Sequence, residues 1–512
     1  MLWFLGAVVL LYALGLNEHW RFQRDSALYL SLGRSLAENG TYEFNFRPHS
    51  LALPGFPGLL YVVYAMVGES FLAMNLLVSL LGIGCVATGW LLYRKLGLSG
   101  RALIACCLLL GLSRTLYYYS THVMADVPFL LLALVGLYLG LRMLEVEGAF
   151  GWTLVLATGL TAAAAATLRP LGPALLAGLV GGLWLRRGSL ADWLRNSVRT
   201  LVVIAPSAAL AAVIVLQEPD GRTYYTVYLA GRSPAALMAG ALSKAPELME
   251  SLSDALLGTN VGLTAGTLLT ALMLLGLVTA ARKGERMVSI YGALCVVGTL
   301  VGNPGRRSLL PALPALILWL VLGAGRAGDL LERLPHLSRR RLVRLSYVLL
   351  GVALAVNLIR IGEVIREARS SDFYQATEHG RLAGYFDLTE WLESNAPPGA
   401  TVLTREHRFV HYFARTRVVP FRRERVGDSA YRLKSVICEH AVTHVVHDSR
   451  EQGDWEWLGA VIEGNPRIWE QVRRFGTVTL YRVHRDRLDT LQTPAAPSSG
   501  SGTALRGPSG PC

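Results

Sequence analysis

About eleven stretches of mostly apolar residues, each near the length of a membrane span, decide what this chain can fold into. They lie at about 2–17, 70–93, 102–118, 127–144, 151–168, 172–186, 200–216, 261–281, 287–302, 308–324 and 343–359. A helix of roughly 20 apolar residues crosses the ~30 Å hydrocarbon core of a bilayer with every backbone polar group satisfied internally. The 512 residues are 52% hydrophobic and only 17% charged, too little charge to cover a soluble protein of this size. The expected fold is therefore a polytopic α-helical membrane protein of about 11 spans. Arg169-Pro170 interrupts the long apolar run between the fifth and sixth spans. Pro54-Gly55-Phe56-Pro57 opens a further apolar piece, 58–67, too short to cross alone and expected as a half-buried or surface helix. The first stretch has the length of a signal h-region. It lacks a basic leader and an Ala-x-Ala-like cleavage site, so it reads as a retained first helix.

The formal net charge of +13 would suggest nucleic acid in a soluble protein, but no nucleic-acid motif is present. Most Arg and Lys fall between apolar stretches, where they set topology. Arg94, Lys95 and Arg101 sit in one connection; Arg186, Arg187, Arg195 and Arg199 in another. Arg282, Lys283 and Arg286 occupy a third, and Arg326, Arg333, Arg339-Arg340-Arg341 and Arg344 a fourth. A cytoplasmic N-terminus makes these connections cytoplasmic. An odd span count then puts the C-terminal region outside. The two long outer loops are 18–56 and 217–260, the latter carrying Tyr224, Tyr225, Tyr228, Arg222, Arg232 and Lys244. The six cysteines show neither metal spacing nor a disulfide framework.

The composition changes after 360. Helix is expected over 387–393 and 454–472, and strands over 400–403, 441–446 and 477–482. The expected organisation is a transmembrane domain over 1–360, a small extracytoplasmic α/β domain over 361–490, and a disordered Pro/Ser/Gly-rich tail over 491–512. The absence of an internal repeat weighs against an inverted-repeat transporter.

One short stretch in the first loop carries candidate chemistry. Asp25 opens an amphipathic pattern in which Leu28, Leu32 and Leu36 recur at four-residue spacing, opposite Ser31, Arg34, Ser35 and Glu38. That reads as a helix lying flat at a membrane surface, with a carboxylate at the water boundary able to act on a lipid head group. The alternative is that Asp25 only caps the helix. Asp126, before Val127-Pro128, carries the same two readings: an ionisable group at a span end, or an N-cap. His440, His444 and His447 approach zinc-ligand spacing, but strand alternation splits them across two faces. Tyr117-Tyr118-Tyr119 fits an interfacial aromatic belt or, alternatively, stacking on a sugar.

Several motifs come in one order. Asp25 and the helix after it end in Asn39-Gly40-Thr41-Tyr42. Leu53-Pro54-Gly55-Phe56-Pro57-Gly58, Ala125-Asp126-Val127-Pro128, Leu168-Arg169-Pro170 and Arg306-Arg307-Ser308-Leu309-Leu310-Pro311 follow. This order resembles the bacterial polyprenyl-phosphate-dependent glycosyltransferases of the GT-C superfold, in the protein mannosyltransferase and aminoarabinose transferase branch (glycosyltransferase family 39 and its kin). The resemblance implies a sugar on a polyprenyl phosphate, passed with inversion to an acceptor hydroxyl on a lipid, protein or polysaccharide. The transfer would take place at the outer face of a bacterial cytoplasmic (inner) membrane. It also implies an acid in the first outer loop, matched here by Asp25; many members carry Asp-Glu where this chain has Asp25-Ser26.

Such a transfer needs a base for the acceptor proton, for which Asp25 is the candidate, with Asp126 assisting and His122 nearby. It needs donors for the leaving phosphate, for which Arg306 and Arg307 rank first and Arg47 and His49 follow. Those arginines have a plainer reading as contacts to anionic lipid heads. Tyr119 is the candidate for sugar contact. Asp25 and Asp126 could recruit a divalent cation, but none is required in this branch. The rival functions are a transporter or flippase of lipid-linked sugars and a non-catalytic envelope assembly protein.

Overall fold

The computed structural model describes residues 2–146, 148–185, 189–217, 233–333, 338–371, 373–376, 382–421, 430–450 and 454–491. Most of 217–232, with its three tyrosines and two arginines, together with Arg186, Arg187 and the tail from 492, lies outside the described residues. The chain divides into two compact units: Met1–Arg21 with Ser50–Ser370, and Phe22–His49 with Ser371–Cys512. Residues 22–49, which chain order places in the first loop, thus group with the C-terminal region.

In the first unit the apolar stretches are helices. Among the described residues seven are long and apolar enough to cross a membrane: Phe71–Lys95, Gly100–Tyr119, Asp126–Met143, Leu190–Val213, Gly262–Arg282, Arg306–Leu331 and Arg340–Ala368. Five shorter apolar helices accompany them, at Leu2–Leu14, Gly55–Val67, Gly151–Ala166, Gly172–Trp184 and Arg286–Val301. The chain is a multi-pass membrane protein on this evidence of length and apolarity.

Local chemistry sets several boundaries. The Ser70 hydroxyl accepts the Ala73 N–H at 3.2 Å and starts the helix at Phe71. Ser113 does the same for Leu116 and breaks the third stretch into Gly100–Gly111 and Arg114–Tyr119. The last helix continues past 360 to Ala368. There Glu367 accepts from the fully buried Arg21 at 3.0 Å, and Arg21 also donates to the Val364 carbonyl at 3.1 Å. Two glycines allow the helices at 262–282 and 313–331 to touch backbone to backbone. A Cβ on Gly276 would sit 1.7 Å from the Trp319 carbonyl oxygen, and one on Gly323 1.9 Å from that of Leu272.

The second unit carries a five-stranded sheet in the order β4-β3-β5-β7-β6. The strands are β3 Thr401–Thr404, β4 Arg417–Pro420, β5 His444–Asp448, β6 Trp469–Phe475 and β7 Val478–Val483; β1 Glu43–Phe44 and β2 Arg47–Pro48 form a separate hairpin. β3 is parallel to β4 and β5, while β7 is antiparallel to β5 and β6. Leu403, Val445, Leu433, Ile437, Leu458 and Val461 join one apolar core between sheet and helices. The helix expected over 454–472 ends at Gly464, and Trp469–Phe475 is strand. Pro466 cannot continue a helix and biases Asn465 away from it. Trp469 and Phe475 are buried at the two ends of the strand. The helices His407–Ala414 and Ala430–Glu439 and the strand Arg417–Pro420 were not expected from the sequence.

Candidate active site

In the first unit, Asp126 begins the helix Asp126–Met143, yet its carboxylate does not cap that helix. The side chain is fully buried and held by two guanidiniums. Arg307 donates from Nε to Oδ1 at 3.2 Å and Oδ2 at 3.3 Å, and Arg169 donates to Oδ1. Taking a carboxylate out of water costs several kcal/mol by general estimates, and two charged donors offset that cost. The N-cap alternative therefore gives way to an ion-paired one.

Arg169 sits in the turn between the helices ending at Ala166 and starting at Gly172. The Gly55 motif docks on that turn: the Gly55 N–H donates to the Thr167 carbonyl at 2.9 Å. A Cβ on Gly55 would lie 2.2 Å from Thr167 Oγ1 and 2.9 Å from the Thr167 carbonyl carbon and oxygen, so only glycine fits. Two motifs of the ordered series thus meet in space, and one of them carries an arginine of Asp126.

The neighbouring arginine turns to a second carboxylate. Arg306 Nη1 lies 3.7 Å from Asp254 Oδ2, and Arg114 Nη1 lies 3.4 Å from Asp254 Oδ1. Arg114 also donates to the Gly258 carbonyl, and its backbone N–H donates to Asn357 Oδ1 at 2.8 Å. The Arg306 guanidinium stands 4.8 Å above the Tyr118 ring and 5.9 Å from that of Tyr119, in cation–π range. His122 is buried, tilted against Tyr118 with ring centres 4.3 Å apart, its Nδ1 2.7 Å from the Tyr118 carbonyl. Tyr117 is buried against Tyr12, ring centres 5.2 Å apart, and Tyr119 is buried beneath Arg306. Burial inside the protein does not suit the lipid-facing belt reading of the tyrosines.

The first unit therefore gathers four guanidiniums, from Arg114, Arg169, Arg306 and Arg307, around two carboxylates, Asp126 and Asp254. All four arginine side chains keep some exposure. The surplus of positive charge suits a bound anion such as a phosphate. Arg306, Arg307, Asp126, Tyr119 and His122, named from the sequence, belong to this gathering. Arg169 was named only as part of a motif, with no role, and Arg114 and Asp254 not at all. A charge interrupting a long apolar run was the available signal for Arg169; the other two gave none.

In the second unit, the helix Arg24–Asn39 starts after Gln23, so Asp25 lies in its first turn and is not the cap. Asp25 accepts from Arg408 Nη1 at 2.7 Å, with the Asp25 side chain 38% exposed. Arg24 pairs with Glu406 at 3.0 Å, Arg34 donates to the Tyr412 carbonyl at 2.7 Å, and Glu38 pairs with Arg415 at 3.4 Å. The polar side of the helix, expected to face water above a membrane, instead meets the helix His407–Ala414. Arg408 also bears on His49: burial, then the nearby guanidinium, pushes its imidazole down to about 4. His49 is uncharged at neutral pH, so it offers a phosphate one N–H and no charge. Arg47 is exposed on β2. Burial likewise lowers His411 to about 4; its Nε2 accepts the Asn45 N–H at 3.1 Å while Nδ1 faces the Thr416 carbonyl. His444 is buried and His447 half-buried on β5, on opposite faces. Among the described residues no cluster of three His, Cys, Asp or Glu side chains is placed to hold a metal.

No family model and no curated protein matches the sequence. Solved structures do match. ArnT from Cupriavidus metallidurans in the apo state aligns with a TM-score of 0.62 at 14% identity, over 94% of this chain and 97% of that one. The same protein bound to undecaprenyl phosphate gives 0.61 at 12% identity over the same shares. The archaeal oligosaccharyltransferase AglB from Archaeoglobus fulgidus, in complex with an inhibitory peptide and a dolichol-phosphate, gives 0.56 at 11% identity, over 94% of this chain and 74% of that one. Likeness at such identities is a likeness of fold, and over nearly its whole length this chain has the GT-C fold that the order of its motifs resembles.

Proposed function

We propose that this chain is an integral-membrane glycosyltransferase that moves a sugar from a polyprenyl-phosphate donor to an acceptor hydroxyl. The observation that carries the reading is the arginine surplus around Asp126 and Asp254, within a fold that one neighbour displays bound to undecaprenyl phosphate. In the reaction the acceptor oxygen bonds to the anomeric carbon as the bond from that carbon to the phosphate oxygen breaks. The electron pair leaves with the polyprenyl phosphate, and the hydroxyl proton passes to a base. Arg306 and Arg307 are the proposed holders of the phosphate. Each is already aimed by a carboxylate, so little reorganisation is needed as charge develops. Asp126 acts by positioning Arg169 and Arg307. Asp25, with its half-exposed carboxylate, is the proposed base. A divalent cation at Asp126 would have to displace two guanidiniums, so the transfer is proposed to run without one. The inner membrane, a cytoplasmic N-terminus and an extracytoplasmic C-terminal region complete the reading; the acceptor is a lipid, a protein or a polysaccharide.

The test is mass spectrometry of lipids that co-purify with the wild type and with Asp25→Asn. The variant should retain a polyprenyl-phosphate sugar that the wild type consumes, which also names the sugar. No prenyl lipid on either protein, when both are folded and offered the lipid, overturns the donor class. Equal donor and equal transfer by both removes Asp25 as the base.

A further inference from the structure

A second charged site lies in the first unit, at the far end of the helix that Asp126 begins. That helix has 18 residues, so its C-terminal end at Met143 is about 26 Å from Asp126 at 1.5 Å per residue. Beyond that end a cleft of about 450 Å³ opens, lined by Lys95, Leu141, Leu144, Glu145, Lys283, Arg286 and others. Lys95 closes the helix Phe71–Lys95 and pairs with Glu145. That pair leaves Lys283 and Arg286 as the cleft's uncompensated charge; neither has a carboxylate ion-pair partner among the described residues.

The turn that presents them is well defined. Lys283, Gly284 and Glu285 donate their N–H groups back to Thr279, Ala281 and Ala280. Gly284 stands at φ +90°, a conformation that side-chain-bearing residues rarely adopt. Glu285 does not line the cleft, and burial pushes its carboxyl up to about 7 against the pull of Lys283, so it is only partly ionised at neutral pH and leaves the pair Lys283 and Arg286 in excess. Part of the floor is apolar, from Leu141, Leu144 and Met287. Met287 is wedged between two glycines: a Cβ on Gly182 would lie 2.7 Å from its Cε, and one on Gly140 2.8 Å from its Sδ.

A free ion needs no apolar floor. A cationic rim over an apolar wall, at the ends of spanning helices, matches a lipid whose phosphate and acyl chains lie one above the other. We propose that this cleft binds the phosphate group of an anionic membrane lipid. Lys283 and Arg286 supply the charge, and Leu141 and Leu144 the apolar wall, backed by the buried Met287. The site stands whether or not the transferase reading does, because it uses none of the residues at Asp126.

The test is native mass spectrometry of the full chain in detergent, offered equal phosphatidylglycerol and phosphatidylcholine. The wild type should retain the anionic lipid with a preference of about thirtyfold, as expected for two charge contacts of ~1 kcal/mol each near a surface. Lys283→Gln with Arg286→Gln should abolish the preference, and Lys283→Arg with Arg286→Lys should keep it. Arg326→Gln with Arg333→Gln, which removes two exposed charges outside the cleft, should leave it intact. Equal loss in that control, or no preference in the wild type, overturns the proposal. So does full displacement of the lipid by millimolar inorganic phosphate, which would make the site one for a free anion. A melting temperature shared by all the variants keeps loss of fold from being read as loss of binding.

Discussion

Asp126 and Asp25 are the same residue type at the start of a helix, and the fold uses them in opposite ways. Asp126 has no exposure and two guanidiniums. Asp25 is 38% exposed and accepts from Arg408. A buried carboxylate between two arginines cannot leave them for a substrate without stranding both cations. Its contribution is to hold them in place. A half-exposed carboxylate on one arginine can exchange its partner for an acceptor hydroxyl at small cost. Burial, and not position in the chain, separates the positioning residue from the candidate base.

The largest expected effect breaks the buried side of the comparison. Asp126→Asn should cost about 3–5 kcal/mol, the usual result of removing one partner from a buried charge cluster. Thermal melting in detergent should drop by many degrees, with activity lost along with the fold. Asp25→Asn should instead leave the melting curve close to wild type, since an exposed pair is worth about 0–1 kcal/mol. Its transfer rate should fall by about 10²–10⁴, the usual range for losing a general base. The reverse pattern, a low-melting Asp25→Asn and a stable, inactive Asp126→Asn, would exchange the two roles.

What the sequence made legible follows the same division. Apolar stretches are local, so the helices of the first unit could be read from composition within each window. Ion pairs are not local. Asp126 meets Arg169 across 43 residues and Arg307 across 181, and Asp25 meets Arg408 across 383. No periodicity encodes such pairings. Arg306 and Arg307 could be proposed from a motif, but not that they turn to different carboxylates. Asp254 carried no signal, because an acid within the long outer loop read over 217–260 looks like solvated surface. The second unit was least legible. The strands of its five-stranded sheet are four to seven residues long, and β6 is stabilised by its pairing with β7, not by its own pattern.

The second unit should respond to acid where the first need not. His411 is nearly buried, and its folded imidazole stays neutral down to about 4, against an ordinary value near 6.5. Between those values the unfolded chain binds more protons than the folded one, so stability falls as pH drops through that window and is level above it. The loss attributable to His411 is on the order of 3 kcal/mol. Denaturant unfolding of the full chain at pH 7 and pH 4.5 measures it, and His411→Gln should flatten the slope. An unchanged slope in that variant would assign the acid sensitivity to other groups.

Gly55→Ala should act on the first unit without touching a charge. The added methyl group meets the Thr167 backbone, and relieving such overpacking costs about 1–3 kcal/mol. The turn carrying Arg169 must then shift, so transfer should fall further than the melting temperature alone explains. Gly55→Ala with full activity would mean that the placement of Arg169 on Asp126 is tolerant of movement.

The smallest effect is the most discriminating. Glu38 lies on the same helix as Asp25, and its pair with Arg415 is about half exposed on both sides. Glu38→Gln should change stability by under about 0.5 kcal/mol, within the range of surface pairs, and should leave transfer at the wild-type rate. It removes the same unit of negative charge from the same helix as Asp25→Asn, and the two partners are Arg408 in the helix His407–Ala414 and Arg415 just past its end. If charge on that helix were what mattered, the two variants would lose transfer together. If the Asp25 carboxylate itself takes the proton, only Asp25→Asn does, because Glu38 lies more than three turns further along the helix and cannot stand in for it.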